Sequence, residues 1–100
     1  GAIASAAIAA IRPDIFFLGV TAIHSRHGFS TGDFEEAAIK RQIAAQAKET
    51  WVLTTLEKLD AASPVTIMPL EAATGAIVPA GIGDEHANML ESAGLKVERA

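Results

Sequence analysis

Two histidines, His24 and His27, stand three residues apart, and the run Gly28-Phe29-Ser30-Thr31-Gly32-Asp33 follows them directly. Histidines at this spacing can ligate a metal, but a site needs at least a third ligand. None is close in sequence, and Asp33 is a weak candidate, so no metal is expected. A glycine-containing, hydroxyl-rich loop leading into a helix has another use. The first turn of a helix leaves N–H groups unpaired and carries partial positive charge, which suits an anion. Ser30, Thr31 and Gly32 can add hydroxyl and backbone donors, and Arg26 can add charge. Together they form a cradle for a phosphorylated small molecule. The plainer alternative is that Asp33 and Thr31 only cap the helix; Asp33 also places negative charge where an anion would sit. Lys58 follows a second apolar run and can reach the same crevice, although a lone lysine of this kind is more often solvated. Glu57 reads the same way. Trp51 begins a buried run and suits a core or an interface better than a stacking platform. His86, in the first turn of a late helix, faces solvent.

Several chemistries are excluded or unsupported. The chain has no cysteine, hence no disulfide, thiolate ligand or cysteine nucleophile. It contains no serine nucleophile elbow, Walker loop or dinucleotide fingerprint. Gly81-Ile82-Gly83 is a lone Gly-x-Gly that a helix cap explains. With 8 basic and 12 acidic residues the net charge is −4, which disfavours a nucleic-acid surface. Lys40-Arg41 is the only adjacent basic pair, and Glu35-Glu36 just before it marks a solvated helix face. The longest apolar run, at the start of the chain, is shorter than the about 20 residues a membrane span needs. No basic segment precedes it, so neither a span nor a signal peptide is expected. The composition is compatible with the cytoplasm.

These residues need elements to position them, and 100 residues, half of them hydrophobic, allow one domain at most. The chain opens inside a helical pattern and reads as a fragment. Ile3, Ala7, Ile8 and Ile11 recur on one face of a helix over 2–11, and Pro13 ends it. The run 15–20 is apolar without alternation, the pattern of a strand covered on both faces. Residues 21–33 read as a long polar loop, of a length that is usually functional. A helix over 34–48 follows, capped by Asp33, with Ile39, Ile43, Ala44 and Ala47 as its buried stripe and a Glu36–Lys40 pair. Strands are predicted at 51–55, at 65–67 and at 76–78. Pro64 and Pro69 place the middle one at a sheet edge. One helical turn is expected at 70–73, a last helix from 83–84 with Met89, Leu90 and Ala93 inward, Gly94 at its C′ position, and a final strand at 95–97. The alternation predicts an α/β domain, a mostly parallel sheet with helices on both faces. Ligands of such sheets bind beyond the carboxyl ends of the strands.

Three segments carry a resemblance. Arg12-Pro13-Asp14-Ile15-Phe16-Phe17-Leu18-Gly19-Val20-Thr21-Ala22-Ile23, then His27-Gly28-Phe29-Ser30-Thr31, then Glu35-Glu36-Ala37-Ala38-Ile39-Lys40-Arg41 resemble the middle of the C-terminal sensor domain of the DeoR family. That family commonly shows an Asp-x-x-Phe-Leu-Gly strand, a Gly-[Leu/Phe]-[Ser/Thr]-Thr loop and a helix with Glu-Ala and Lys-Arg. The match runs in order across nearly the whole chain. It departs at Thr55, where the family's Asp-x-x-Lys has its acid while Lys58 keeps the lysine. It departs again at Ile77-Val78-Pro79, where the family often ends a strand in Ile-Thr-Asp.

The resemblance implies a Rossmann-like partial domain, related to sugar-phosphate isomerases and deaminases, spanning residues 1–100. It implies a cytoplasmic repressor of carbohydrate genes that a phosphorylated sugar releases from DNA. The operator would be bound through an N-terminal winged helix-turn-helix outside this chain, and the protein would form a homo-oligomer. Carried over by position, the ligand-binding candidates are Gly19, Thr21, Gly28, Ser30, Thr31 and Lys58. No catalytic residue, metal or cofactor is expected. Two other readings remain: an isomerase- or deaminase-like enzyme, for which His24, His27, Asp33 and Glu57 form no recognisable acid–base set, and a non-sensing dimerisation scaffold, which Thr55 and Pro79 favour.

Overall fold

A computed structural model describes residues 1–100. It contains helices α1 (Ala2–Ala9), α2 (Phe34–Gln46) and α3 (Asp84–Ser92). The strands are β1 (Ile15–Gly19), β2 (Ala22–His24), β3 (Gly28–Thr31), β4 (Glu49–Leu53), β5 (Val65–Met68), β6 (Gly75–Val78) and β7 (Lys96–Arg99). Short 3-10 turns at Leu56–Lys58 and Leu70–Ala72 join them. Strands β1, β4, β6 and β7 form a parallel sheet in that order. Strands β2, β3 and β5 form a second, antiparallel sheet with β5 at its edge, where the flanking prolines put it.

The segment 21–33 is therefore not an open loop but a β-hairpin, and periodicity concealed it. Its inward and outward residues do not alternate, because Gly28, Phe29, Ser30 and Thr31 are all buried. The turn between β2 and β3 is held by a side chain: His24 Nδ1 accepts hydrogen bonds from Arg26 N at 3.0 Å and His27 N at 3.2 Å. The two imidazoles lie 4.7 Å apart, centroid to centroid. Gly28 follows with φ +71°, and a Cβ there would lie 2.4 Å from Met68 O and 2.9 Å from Pro69 Cα. Only glycine permits both that backbone conformation and that approach of β5.

The parallel sheet was expected to be covered on both faces, but only one is covered. Its strands are laid down in a single direction, and right-handed crossovers then put α2 and α3 on the same side. On that side Leu18, Val52 and Ala76 have no exposure, and Phe16 and Val97 pack against them. On the other side Ile15, Phe17 and Leu53 remain 47, 57 and 43 % exposed. Trp51 lies on this open side with its ring over Gly75, where a Cβ would meet Cζ3 at 2.4 Å.

Asp33 caps α2 as expected, its Oδ2 accepting from Glu36 N at 2.8 Å. The stripe of α2 is shallower than its periodicity suggested: Ala37 alone is fully buried, and Ile39 and Ile43 are half-covered. Helix α1 buries no residue, and Ile3 is 89 % exposed. Polar bonds hold it to α2: Ser5 Oγ to Gln42 Oε1, Gln42 Nε2 to Ser5 O, and Gln46 Nε2 to the carbonyls of Ala9 and Ile11. Strand β4 spans 49–53 rather than 51–55. Gly94 ends α3 at φ +93°, and Leu90 and Ala87 point inward. No helix is long and apolar enough to cross a membrane.

Candidate functional site

The carboxyl ends of β1 and β4 meet where the hairpin sheet crosses the parallel one. Strand β1 delivers Gly19 and the chain then turns at Thr21 into β2. Thr21 Oγ1 donates to Ser30 O at 3.1 Å and shares a hydrogen bond with Ser63 Oγ at 2.6 Å. Ser30 Oγ accepts from Ser63 N at 2.8 Å. Thr21, Ser30 and Ser63 thus form one polar cluster, and the last of these was not foreseen: it lies 42 residues from Thr21, beyond the reach of any spacing argument.

The six candidates divide by access. Gly19 and Thr21 are exposed, and Lys58 is half-buried. Gly28, Ser30 and Thr31 are buried, so in this conformation their visible roles are internal. Gly28 admits β5, and Ser30 anchors the segment before it. Thr31 sits under the start of α2, close enough to Glu36 that its hydroxyl helps hold that carboxyl below its ordinary range. Lys58 ends a 3-10 turn entered from Thr55. The next residue, Leu59, bridges Ile23 of β2, which brings Lys58 to the hairpin side of the crevice. The Lys58 ammonium makes no hydrogen bond or ion pair within the chain.

Lys40, read from the sequence as part of a solvated helix face, belongs to the same region. Its Nζ donates to Gly19 O at 2.7 Å and to Glu36 Oε1 at 2.5 Å. The Lys40 bond and charge are the main causes that lower the Glu36 pKa. An open groove of about 460 Å³ runs beside them, lined by Phe16, Asp33, Glu35, Glu36, Ile39, Lys40 and Ile43. Its three carboxylates face one lysine that is already paired, so it repels an anion. The N-terminus of α2 is likewise occupied by the Asp33 carboxylate. Lys58 in its loop and Arg26 in the hairpin turn make no side-chain hydrogen bond or ion pair within the chain, and both remain available to an anion.

Arg41 faces elsewhere. Its Nε donates to Ile67 O at 2.8 Å and its Nη2 to Thr66 O at 3.0 Å. The largest groove, about 550 Å³, lies there between α2 and β5 and holds none of the six candidates. On the far side of the Lys58 loop, Asp60 adopts φ +62° and its Oδ2 lies 2.6 Å from His86 Nε2 of α3. His86, expected in solvent, instead ties that loop to the last helix. His24 and His27 gather no third ligand, and no group of three histidine or acidic side chains capable of holding a metal ion occurs. Glu57 is exposed; bonds from the Thr55 hydroxyl and its own N–H, with the Lys58 charge, lower its pKa.

A parallel sheet with crossover helices, and polar loops collected beyond its carboxyl ends, defines an α/β domain of the class that carries small-molecule sites there. Residues 1–79 match the model of the DeoR C-terminal sensor domain, and the chain belongs to that family. It is thus an effector-sensing domain of a DeoR-type regulator. No curated protein matches the chain.

Proposed function

We propose that this chain senses a phosphorylated sugar for a cytoplasmic repressor of carbohydrate genes, with DNA contact made by a domain outside residues 1–100. The single observation that carries this reading is the half-buried Lys58, whose ammonium has no partner in the chain and stands at the carboxyl end of β4. Beside it lie the exposed Thr21 hydroxyl and the Gly19 end of β1. A phosphate on Lys58 and sugar hydroxyls on Thr21 and Ser63 use groups of matching chemistry. Gly28, Ser30 and Thr31 shape the cradle from beneath. Sensing requires that the ligand bind one arrangement of the regulator better than another. The Lys58 loop is the element that a ligand would move against the hairpin. Such a regulator works as a homo-oligomer, which couples two DNA-binding domains.

A thermal-shift series on the full-length regulator tests this, with sugar phosphates, the same sugars unphosphorylated and inorganic phosphate. A ligand at 100 times its Kd stabilises the native state by about 2.7 kcal/mol. A shift selective for one phosphorylated sugar, lost in Lys58→Met, is expected. Folded protein that shifts with none of them excludes the reading.

A second reading, a dimerisation scaffold without sensing, is favoured by Thr55. Where the family carries an acid, this residue stands at the start of the Lys58 turn as a neutral hydroxyl. The same series separates the two.

A further inference from the structure

Between β4 and β5 the chain runs from Thr54 to Pro64 with no strand of its own, and Lys58 lies inside this loop. Bonds fix the loop at each end. Thr54 N donates to Ile77 O at 3.2 Å, and Ser63 meets Ser30 and Thr21. Its middle is fixed beside Lys58. Leu59 is buried and bridges Ile23. Asp60 follows at φ +62°, with its Oδ2 2.6 Å from His86 Nε2. Asp60 is the one residue other than glycine with a positive φ. That conformation is unfavourable for most side chains, and aspartate and asparagine are among the few that tolerate it. An ionised carboxylate can only accept, so His86 Nε2 carries the hydrogen of the bond. The helix at the other end is firmly seated, since Ala87 and Leu90 of α3 are buried in the core. The Asp60 carboxylate is therefore held on α3 and withheld from the Lys58 ammonium, which belongs to a residue only two positions before it.

We propose that His86 and Asp60 are positioning residues for the phosphate site, a latch that holds the Lys58 loop to α3 and keeps the Asp60 carboxylate off the Lys58 ammonium. The latch deepens the sensing function proposed above and rests on that reading for its ligand. Both residues act through Lys58. With the latch shut, the loop is pinned and its lysine keeps a free charge for an anion. With the latch open, Leu59 alone anchors the middle of the loop, and the released carboxylate competes with the phosphate for the same ammonium. The pair is partly exposed, with side-chain exposures of 29 % for His86 and 66 % for Asp60, so it shifts an equilibrium by at most about fivefold. A bias of that size suits a loop that must yield when a ligand arrives.

Hydrogen exchange and phosphate binding in the full-length regulator test the latch together. The amides of Lys58 and Leu59 donate to Thr55 O and Leu56 O at 3.3 and 3.2 Å, and they report opening of the loop without any ligand. In His86→Ala they are expected to exchange about two- to fivefold faster, while the amides of β1 and β4 keep their wild-type rates. A general loss of stability would quicken all of them. The Kd for inorganic phosphate, followed by phosphorus NMR, is expected to rise about two- to fivefold in His86→Ala, as the freed carboxylate pairs with Lys58. Adding Asp60→Asn returns it to the wild-type value, because asparagine keeps the left-handed backbone and carries no charge. A purely structural role for His86 would not be undone by removing its partner as well. Unchanged exchange at Lys58 and Leu59 overturns the latch. A phosphate Kd that does not rise in His86→Ala, or that Asp60→Asn fails to restore, overturns its action on Lys58. A wild type that binds neither phosphate nor any sugar phosphate defeats the sensing function instead, and the exchange rates alone then decide whether the latch exists.

Discussion

Gly28 offers a sharp test of how the hairpin is built. Gly28→Ala meets two costs. The backbone sits at φ +71°, and an L-residue in the left-handed region costs about 1–2 kcal/mol. The new Cβ would also stand 2.4 Å from Met68 O and 2.9 Å from Pro69 Cα. Both are backbone atoms of β5 and its exit, which cannot swing aside as a side-chain tip can. Overpacking of this kind costs a further about 1–3 kcal/mol. Gly94 provides the control. It has φ +93° but nothing within 4 Å of an added Cβ, so Gly94→Ala bears only the first cost. Urea denaturation of the two variants, with the wild type, measures the difference. Gly28→Ala is expected to lose about 2–5 kcal/mol and Gly94→Ala about 1–2. A domain of this size has only about 5–15 kcal/mol in total, so the first variant approaches the limit of folding. If Gly28→Ala costs no more than Gly94→Ala, the close approach of β5 to Gly28 is refuted.

Two further outcomes follow from the site. Ser30→Ala removes the acceptor of Ser63 N and leaves a half-buried donor unpaired, at a cost of about 1–3 kcal/mol; a melting temperature equal to that of the wild type would show that the cluster contributes nothing. Glu36 has its pKa lowered from 4.5, first by the Lys40 hydrogen bond and then by the Lys40 charge. A depressed carboxyl contributes stability above its unfolded value and loses it as pH falls through the folded one. The effect therefore lies on the acid side, below about pH 4.5. Lys40→Met should return the Glu36 titration, followed by NMR, toward the ordinary carboxylate range; an unmoved titration contradicts the pairing.

The sequence conveyed elements well where one signal dominates. Asp33 before Phe34, Gly94 after α3 and the prolines around β5 each have a local cause, and each appears as read. The run 15–20 announced a parallel strand, but it could not say that one side would stand open, because an apolar strand covered on both faces and one covered on a single face have the same composition. The hairpin was lost for a related reason. Its strands are three and four residues long, and β3 is buried throughout, so it shows neither alternation nor an apolar run. Of the candidate site, the positions of Gly19 and Thr21 beyond β1 and of Lys58 beyond β4 were legible, because a parallel sheet dictates where they fall. The burial of Ser30 and Thr31, the arrival of Ser63 and the His86–Asp60 tie were not, since each depends on long-range packing.

Lys40 and Arg41 are consecutive, hence about 100° apart around α2, and they grip different bodies. Lys40 holds the carbonyl at the end of β1, in the parallel sheet, while Arg41 holds two carbonyls of β5, in the antiparallel one. The helix is thereby a yoke with one hand on each sheet. It cannot roll about its axis without loosening a grip on both, and it cannot follow a shift of Gly19 without drawing on β5. A push delivered at the carboxyl end of β1 has a mechanical route to the opposite edge of the molecule, through two side chains that look, on paper, like an ordinary basic pair facing water.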